Sequence, residues 1–430
     1  MAGKAAASDQ QSGLSPDPRI PRTRIKAGAL LAAVKDVTGV VAGRSTIPIL
    51  EFVWLSAIDG VIELCATDLD MWATRSLASD DAGQADSADW QRGCRNFTIT
   101  LPGKALEALL GQIDSAAMVT LTAPHGDETR ATIAAGRARF RLNCLPPADF
   151  PLAPPAGLES TAAGAQFEIA ASALADLFAS VEHAISTEET RYYLNGIYLH
   201  PEGLALRAAA TDGHRMARLS IDAPDGAASF APTILPRGAV AVLDKLLAAA
   251  AKSSPDALVT VRAEGTLGSA GQAARLRFAM PAADDGEVEL VTKSIDGSFP
   301  DYTRVIPDSP EVTVRIDRAG LIEAVKRVSV LAESKTRVIR CLLEPDKLTV
   351  SVVRPDLGDG QEELACDYDG AGLTLGLDST YLLAALRALA CDTVALGLSG
   401  PAGPVRLRAV EGADRSESER LVQVVMPSRV

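Results

Sequence analysis

Strand-like and helix-like hydrophobic patterns alternate along the chain in an order that occurs three times. Three segments predict β-hairpins, because apolar residues alternate with others on both sides of a turn: EFVWLSAIDGVIELCATD, GIYLHPEGLALRAAATD and RCLLEPDKLTVSVVRPD. We place the turns at Asp59-Gly60, Pro201-Glu202-Gly203 and Pro345-Asp346-Lys347. Successive turns lie about 143 residues apart, so each repeat has the size of a domain.

An amphipathic segment lies on either side of each hairpin. KAGALLAAVKDVTGVVAG, ASALADLFASVEHAIS and RAGLIEAVKRVSVLAES precede the hairpins, whereas LPGKALEALLGQI, LPRGAVAVLDKLL and LDSTYLLAALRAL follow them. Apolar residues recur in these segments every three or four positions, which predicts helices. Asp378 or Ser379 is the expected N-cap of the last one. Each repeat is therefore helix, hairpin, more strands, helix and more strands, a pattern of the α+β class.

Composition and loops divide the chain further. The N-terminal MAGKAAASDQQSGLSPDPRIPRTR is rich in Ala, Ser, Gln and Pro, so we expect a disordered tail. Loops such as PLAPPAGLESTAAG mark boundaries between the repeats. We predict a tail at 1–23 and three domains at 24–152, 165–308 and 309–430.

Basic residues recur on one side of the second helix of each repeat. At about 100° per residue, Leu106 and Leu110 and their counterparts form a buried stripe. The basic residues that point away from this stripe are Lys104, Lys245, Lys252 and Arg387. The net charge of −13 excludes a protein that coats nucleic acid with its whole surface. A repeated basic face fits a protein that surrounds a polyanion and contacts its phosphates, and an ordinary solvated helix face is the alternative.

The segment ATDGHRMARL raises the question of catalysis, because Asp212 and His214 could serve as an acid–base pair. The first repeat carries ATDLDMWATRSL at the equivalent place and lacks the histidine. The two copies share only turn chemistry, in which Asp68 and Asp212 accept hydrogen bonds from nearby backbone N–H groups. The chain also lacks the common hydrolase, metalloprotease and phosphate-loop motifs. We therefore expect no enzyme, although a hydrolase built on these two residues remains an alternative.

Cysteine and hydropathy patterns bear on cofactors and location. The six cysteines form no CxxC pair, and the four histidines do not have zinc-site spacing, so we expect no metal or other cofactor. No apolar run approaches the roughly 18 residues of a membrane span, and the N-terminus lacks the apolar core of a signal peptide. These features predict a cytoplasmic protein with reduced thiols and no membrane partner.

Several motifs together resemble one family. TIPILEFVWL, ETRYYLNGIYL, TDGHR, LPPADFP, DGSFPDYTRVIP and VVMPSRV are similar to motifs of the bacterial DNA polymerase III beta subunit, the beta sliding clamp, in unbroken order from about Arg24 to Val430. The resemblance implies three similar clamp-type domains, each with two channel-lining helices against antiparallel sheets. Two protomers would form a head-to-tail ring. The implied function is that of a non-catalytic processivity factor.

The resemblance also implies partners. A homodimer would encircle double-stranded DNA regardless of sequence. It would tether the DNA polymerase III catalytic subunit, the clamp loader and other clamp-motif proteins through QLxLF-type peptides.

The family's functional positions can be matched motif by motif. The partner-peptide groove between the second and third domains would be formed by Leu194, Thr211, Gly213, His214, Arg215, Met216, Pro300, Arg304, Val305, Val424, Met426, Pro427 and Arg429. Arg44 and Arg191 match DNA-contacting positions and join the four basic residues named above. Dimer contacts would come from Phe140 and Leu142 of one protomer and Val330 and Leu331 of its partner.

The chain departs from the family pattern near its end and in two loops. Ser428 stands where the family commonly has a methionine, and Met216 stands where it often has leucine. The loops VRPDLGDGQEE and VEGADRSESER lie outside the pattern. Two alternatives therefore stay open: a clamp-like scaffold that only docks peptides, and a specialised second clamp without a replicative role.

Overall fold

A computed structural model describes residues 20–41, 43–80, 96–125, 129–154, 165–265, 272–284, 286–307, 310–333, 336–410 and 420–429. Most of the predicted tail (1–19), Cys94 and residues 411–419 of the loop VEGADRSESER lie outside these ranges. The chain divides into two compact units. The first comprises Met1–Leu152 with Asp284–Val288, and the second comprises Ala153–Ala283 with Glu289–Val430.

In its described residues, the first unit contains two helices and two four-stranded antiparallel arrangements. Its helices are α1 (Ala27–Thr38) and α2 (Gly103–Leu110). Its strands are β1 (Arg22–Lys26), β2 (Phe52–Ile58), β3 (Val61–Thr67), β4 (Met71–Ala78), β5 (Phe97–Pro102), β6 (Met118–Thr122), β7 (Arg130–Ala135) and β8 (Ala138–Asn143). They follow the orders β5-β2-β3-β4 and β1-β6-β7-β8. Because β1 begins at Arg22 and Thr23 is buried, these last two residues of the expected tail belong to a sheet.

The second unit contains two further copies of the same plan. Its helices are α3 (Ala171–Ala179), α4 (Arg237–Ser253), α5 (Arg318–Ser329) and α6 (Ser379–Ala388). The strands of the first copy are β9 (Gln166–Ala170), β10 (Gly196–Glu202), β11 (Ala205–Thr211), β12 (Arg215–Asp222), β13 (Thr233–Pro236), β14 (Leu258–Glu264), β15 (Arg275–Pro281) and β16 (Glu287–Lys293). Those of the second are β17 (Val312–Asp317), β18 (Val338–Glu344), β19 (Lys347–Arg354), β20 (Gly358–Asp367), β21 (Leu373–Asp378), β22 (Thr393–Leu398), β23 (Val405–Val410) and β24 (Leu421–Val425).

Strand order repeats along with the elements. The order β5-β2-β3-β4 of the first unit recurs as β13-β10-β11-β12 and again, reversed in direction, as β20-β19-β18-β21. The order β1-β6-β7-β8 recurs, reversed in direction, as β16-β15-β14-β9 and as β24-β23-β22-β17. In the second unit, β12 pairs with β24, so one twelve-stranded sheet runs through both copies. The three-domain plan expected from the sequence is confirmed.

The first residue of the first helix makes an equivalent backbone hydrogen bond in each of the three copies. The first helical N–H of α1 donates to the carbonyl of Ala117, that of α3 to Ala257 and that of α5 to Asp392. Each acceptor lies just before the strand that pairs with the copy's first strand. A backbone donor that the helix itself cannot satisfy is thereby paired, so the helix start is locked to the sheet.

All six segments with a predicted helical pattern form helices. Leu106 and Leu110 of α2 are fully buried, and so are Leu243 and Leu247 of α4 and Leu386 of α6. Asp378 is the N-cap of α6, where its Oδ1 accepts from the N–H groups of Thr380 and Tyr381.

Two of the three hairpin turns differ from their predictions. Asp59 and Gly60 form the first turn with positive φ at both residues, as a type I′ turn requires. In the second hairpin Glu202 pairs with Ala205, so the turn residues are Gly203 and Leu204 rather than Pro201-Glu202-Gly203. The third turn is Pro345-Asp346, since Lys347 is already paired with Glu344.

Candidate functional site

The TDGHR segment is a turn between β11 and β12 that local hydrogen bonds close. The Thr211 hydroxyl donates to the carbonyl of Arg215 over 2.7 Å, and Asp212 Oδ1 accepts from the N–H groups of His214 and Arg215 over 2.9 and 3.0 Å. Thr67 and Asp68 make the same set of bonds around the first repeat's turn. The predicted backbone role of both aspartates is confirmed.

The turn needs a left-handed residue at its third position. Gly213 has φ +91°, and Leu69 occupies the equivalent place at φ +77°. A Cβ at Gly213 would come within 2.6 Å of the Arg191 guanidinium, so glycine also makes room for that side chain.

The C-terminal segment lies against this turn. Strand β24 pairs with β12 in a register that places Val424 opposite Met216 and Val425 opposite Arg215. The Met426 N–H then donates to the carbonyl of His214 over 2.8 Å. Two stretches separated by about two hundred residues are therefore adjacent, as the family resemblance implied.

Beyond the turn, the same segment reaches the third copy. The N–H of Ser428 donates to the carbonyl of Gly376 on β21 over 2.9 Å. Pro427 and Ser428 are partly buried and Arg429 is exposed. The terminus thus spans strands of both copies in the second unit.

An apolar patch lies where these strands meet. Ala209, Met216, Tyr302, Val422 and Val424 form a buried cluster. Four partly buried side chains pack on it, namely Tyr198, Phe299, Ile306 and Met426. Such a patch with exposed polar neighbours suits an apolar side chain of a ligand.

The apolar residues predicted for the groove differ in exposure. Met216, Val424 and Met426 belong to the patch, and Val305 is exposed in the short turn Tyr302–Val305 beside it. Leu194, at the end of the turn Tyr192–Leu194, is 3% exposed and thus as buried as Met216 and Val424. Met426 and Val305 therefore offer most of the open apolar surface among these five.

Charged and aromatic side chains surround the turn. Arg215 Nε donates to Asp212 Oδ2 over 3.0 Å, and its guanidinium lies 4.5 Å from the centre of the Tyr381 ring on α6. The His214 ring is nearly parallel to the same tyrosine at 6.3 Å. Arg304 is exposed and donates to Asp301, and Pro300 is exposed beside them.

These contacts argue against the hydrolase alternative. Both carboxylate oxygens of Asp212 are used by the turn and by Arg215, and His214 faces Tyr381 instead of the aspartate. No hydrogen bond joins the two side chains, so Asp212 does not orient the imidazole as the aspartate of a catalytic triad does.

The sequence reasoning missed several residues of this region. Tyr381 comes from a helix that was assigned only to a basic face, and Tyr198 and Phe299, which pack on the cluster, stack with their ring centres 4.9 Å apart. His183 is a further case, since burial and the nearby Arg215 lower its pKa to about 4. A neutral imidazole therefore lies behind the turn. Only the aromatic content of RYYLNG, GIYLH and SFPDY could have indicated such a cluster.

The residues predicted to contact DNA are mostly exposed. Arg44, Lys104, Lys245, Lys252 and Arg387 all have exposed side chains. Lys104 also donates to the carbonyl of Thr38 over 3.0 Å. Arg191 differs, because it is partly buried and pairs with Glu188 at 2.8 Å.

The residues predicted at the dimer interface lie at the surface of their units. Phe140 and Leu142 are partly buried on β8, an edge strand. Val330 is 77% exposed just after α5, and Leu331 is partly buried.

The described residues show neither a candidate metal site nor a candidate membrane-spanning helix. No group of three or more His, Cys, Asp or Glu side chains in the described ranges could hold a metal ion. Within the same part of the chain, no helix is long and apolar enough to cross a membrane.

Comparisons with known proteins match the whole described chain. Profiles of the DNA polymerase III beta subunit match in three parts: the N-terminal domain at 22–154, the central domain at 168–301 and the C-terminal domain at 303–429. The beta sliding clamp of Caulobacter vibrioides (strain NA1000 / CB15N) is 34% identical over 410 residues, which cover 94% of this chain and 99% of that protein.

Solved structures agree. The sliding clamp (DNA polymerase III subunit beta) of Bartonella birtlesii bound to griselimycin is 32% identical with a TM-score of 0.82, covering 96% of this chain and all of that one. The beta sliding clamp of C. crescentus, with PEG bound to its putative beta-motif tethering region, has the same identity and TM-score and covers 96% of this chain and 99% of its own.

Proposed function

The chain belongs to the DNA polymerase III beta subunit family, and from this membership we propose how its residues carry out the work of a sliding clamp. It is a DNA sliding clamp, a non-catalytic processivity factor that binds DNA and tethers polymerase partners. We also propose the roles of its residues, its domain boundaries and its cytoplasmic location.

We place the partner-peptide groove at the patch beside TDGHR. The observation that carries this assignment is the pairing of β24 with β12, which brings Met426 onto the cluster of Met216, Val424 and Tyr302. A short peptide with apolar anchors would bury them on this patch, and His214, Arg215 and Arg304 would meet its polar groups.

Truncation of the terminus tests the groove. Deletion of residues 427–430 removes the bond from Ser428 to Gly376 and should abolish binding of a QLxLF-type peptide, measured by fluorescence anisotropy. Met426→Ala should weaken binding at least about tenfold, a loss of about 1.4 kcal/mol. Leu204→Ala, at an exposed hairpin tip, is the matched control. Equal affinities for all four proteins would place the groove elsewhere.

We assign DNA contacts to the exposed basic residues of the second helices. Lys245 and Lys252 on α4 and Arg387 on α6 lie opposite the buried stripes of their helices. The protein as a whole has a net charge of −13, so these side chains would concentrate positive charge on the surface that faces the DNA phosphates. Arg44 and Lys104 add to them, and Arg191 would have to exchange Glu188 for a phosphate.

Salt dependence tests this assignment. Charge reversal in Lys245→Glu/Arg387→Glu should weaken retention on nicked circular DNA and flatten the dependence of log affinity on log salt. Each lost phosphate contact lowers the slope by about 0.9. An unchanged slope in the folded double variant would contradict the assignment. Release after linearisation distinguishes a closed ring from a scaffold that only docks peptides.

We assign ring closure to two open sheet edges. Strand β8 is the last strand of its sheet and exposes Arg139 and Arg141. Strand β20 pairs with β17 only at Cys366 and Asp367, so its earlier part has an open edge, which carries Asp359 and Glu363. Edges of opposite charge can pair between protomers, with Phe140 and Leu142 meeting Val330 and Leu331 of the partner.

A further inference from the structure

A cavity of about 400 Å³ lies between the end of α5 and the start of α6. Ala332 and Leu383 form part of its apolar wall, and Ser379 contributes a buried hydroxyl. Arg337 and Arg387 are exposed at its opening. Its volume is more than ten times the roughly 30 Å³ that one water molecule occupies, so the cavity is large enough for a polyatomic group of a ligand together with the atoms bonded to that group.

The backbone of Arg337 is held in place by several hydrogen bonds. Its carbonyl accepts from both the N–H and the hydroxyl of Ser379, each over 2.9 Å, and its own N–H donates to the carbonyl of Glu333 over 2.8 Å. These bonds fix a left-handed conformation with φ +49°, which is unfavourable for a residue with a side chain. The guanidinium is thereby directed to the start of α6, where it donates to the Thr380 hydroxyl over 3.1 Å.

The charges around the cavity favour an anion. Among the described residues, neither Arg337 nor Arg387 forms a salt bridge with a carboxylate. The pKa of the nearby Glu323 is lowered mainly by its hydrogen bond from Lys326, with a smaller contribution from Arg387. Asp378 occupies the N–H groups at the start of α6, so these donors are not available to a ligand. The available donors are the two guanidinium groups and the Thr380 hydroxyl proton, because that oxygen already accepts from Arg337.

We propose that this cavity is a phosphate-binding site in which Arg337 and Arg387 together hold one phosphodiester of the DNA backbone. Guanidinium groups match the oxygens of a phosphate in geometry and charge, and the cavity accommodates the adjoining sugars. The inference rests on the proposed function, since it adds Arg337 and Thr380 to a DNA contact that was expected of Arg387 alone.

The test compares three variants of the full-length chain on nicked circular DNA. Arg337→Gln removes the charge but leaves the backbone bonds of residue 337 intact, and it should lower the salt slope by about 0.9. Arg337→Lys keeps the charge and should keep the slope while binding DNA more weakly, because an ammonium cannot bind two phosphate oxygens in parallel. Arg315→Gln removes the same charge from an exposed arginine paired with Asp367, and it should leave the slope unchanged.

A ³¹P NMR titration with inorganic phosphate separates DNA from a free anion as the ligand. Loss of phosphate binding in Arg337→Gln with an unchanged DNA slope would assign the cavity to free phosphate and overturn the proposal. Equal slopes for Arg337→Gln, Arg315→Gln and the wild type would also overturn it, while the proposed function stands. Failure of the wild-type chain to be retained on nicked circles would overturn the proposed function and, with it, this contact.

Discussion

At the scale of single residues, His183 makes the stability of the chain depend on pH. Burial, together with Arg215, lowers the pKa of its imidazole from 6.5 to about 4. Between these pH values the unfolded chain binds a proton that the folded chain excludes. Stability is therefore fully present above pH 6.5 and falls as the pH drops toward 4, by up to about 3 kcal/mol.

His183→Gln should remove most of that dependence. Urea unfolding at pH 7 and pH 4.5 measures it, with His125→Gln at an exposed histidine as the matched control. Equal losses of stability in the wild type and in His183→Gln would show that another group titrates.

At the scale of secondary-structure elements, a buried arginine ties strand β4 to helix α1. Arg75 is 1% exposed, its Nε donates to Asp36 over 3.1 Å, and it also pairs with Asp284. Arg75→Ala leaves partly buried carboxylates without their cation, which should cost about 3–5 kcal/mol of unfolding free energy in urea titrations.

An apolar replacement of the Arg75–Asp36 pair separates charge from packing. Arg75→Met/Asp36→Leu should be more stable than Arg75→Met alone, because the uncompensated carboxylate is removed. If the second substitution adds no stability, Asp36 does not depend on Arg75.

At the scale of the whole molecule, ring closure should depend on a few apolar side chains at the sheet edges. Phe140→Ala should cost about 2–4 kcal/mol of association, since aromatic anchors dominate interface energies. Analytical ultracentrifugation measures the dimer constant, and Leu204→Ala removes a 92% exposed leucine as the control. A Phe140→Ala protein that stays dimeric at nanomolar concentration would refute the assigned interface.

Local patterns in the sequence predicted most of the elements. Helical spacing predicted the six helices that the described residues contain, and Asp378, one of two candidate caps, is the N-cap of α6. The second hairpin turn was misplaced because Pro201 was taken as a turn residue. Proline has no backbone N–H and is tolerated in a strand where no neighbouring strand needs that donor. Strand β13 pairs with β10 only at Gly196–Leu199, so no residue of β13 lies opposite Pro201, and Pro201 can belong to β10.

The sequence by itself determined the three repeats, their helices and hairpins, and the two Thr-Asp turns, because each depends on residues close together in the chain. Only the tertiary structure decided which side chains surround TDGHR. Tyr381 comes from α6, Met426 from the terminus and His183 from a turn after α3. Such neighbours result from the packing of distant strands and helices, and hydrophobic periodicity records only which face of an element is buried.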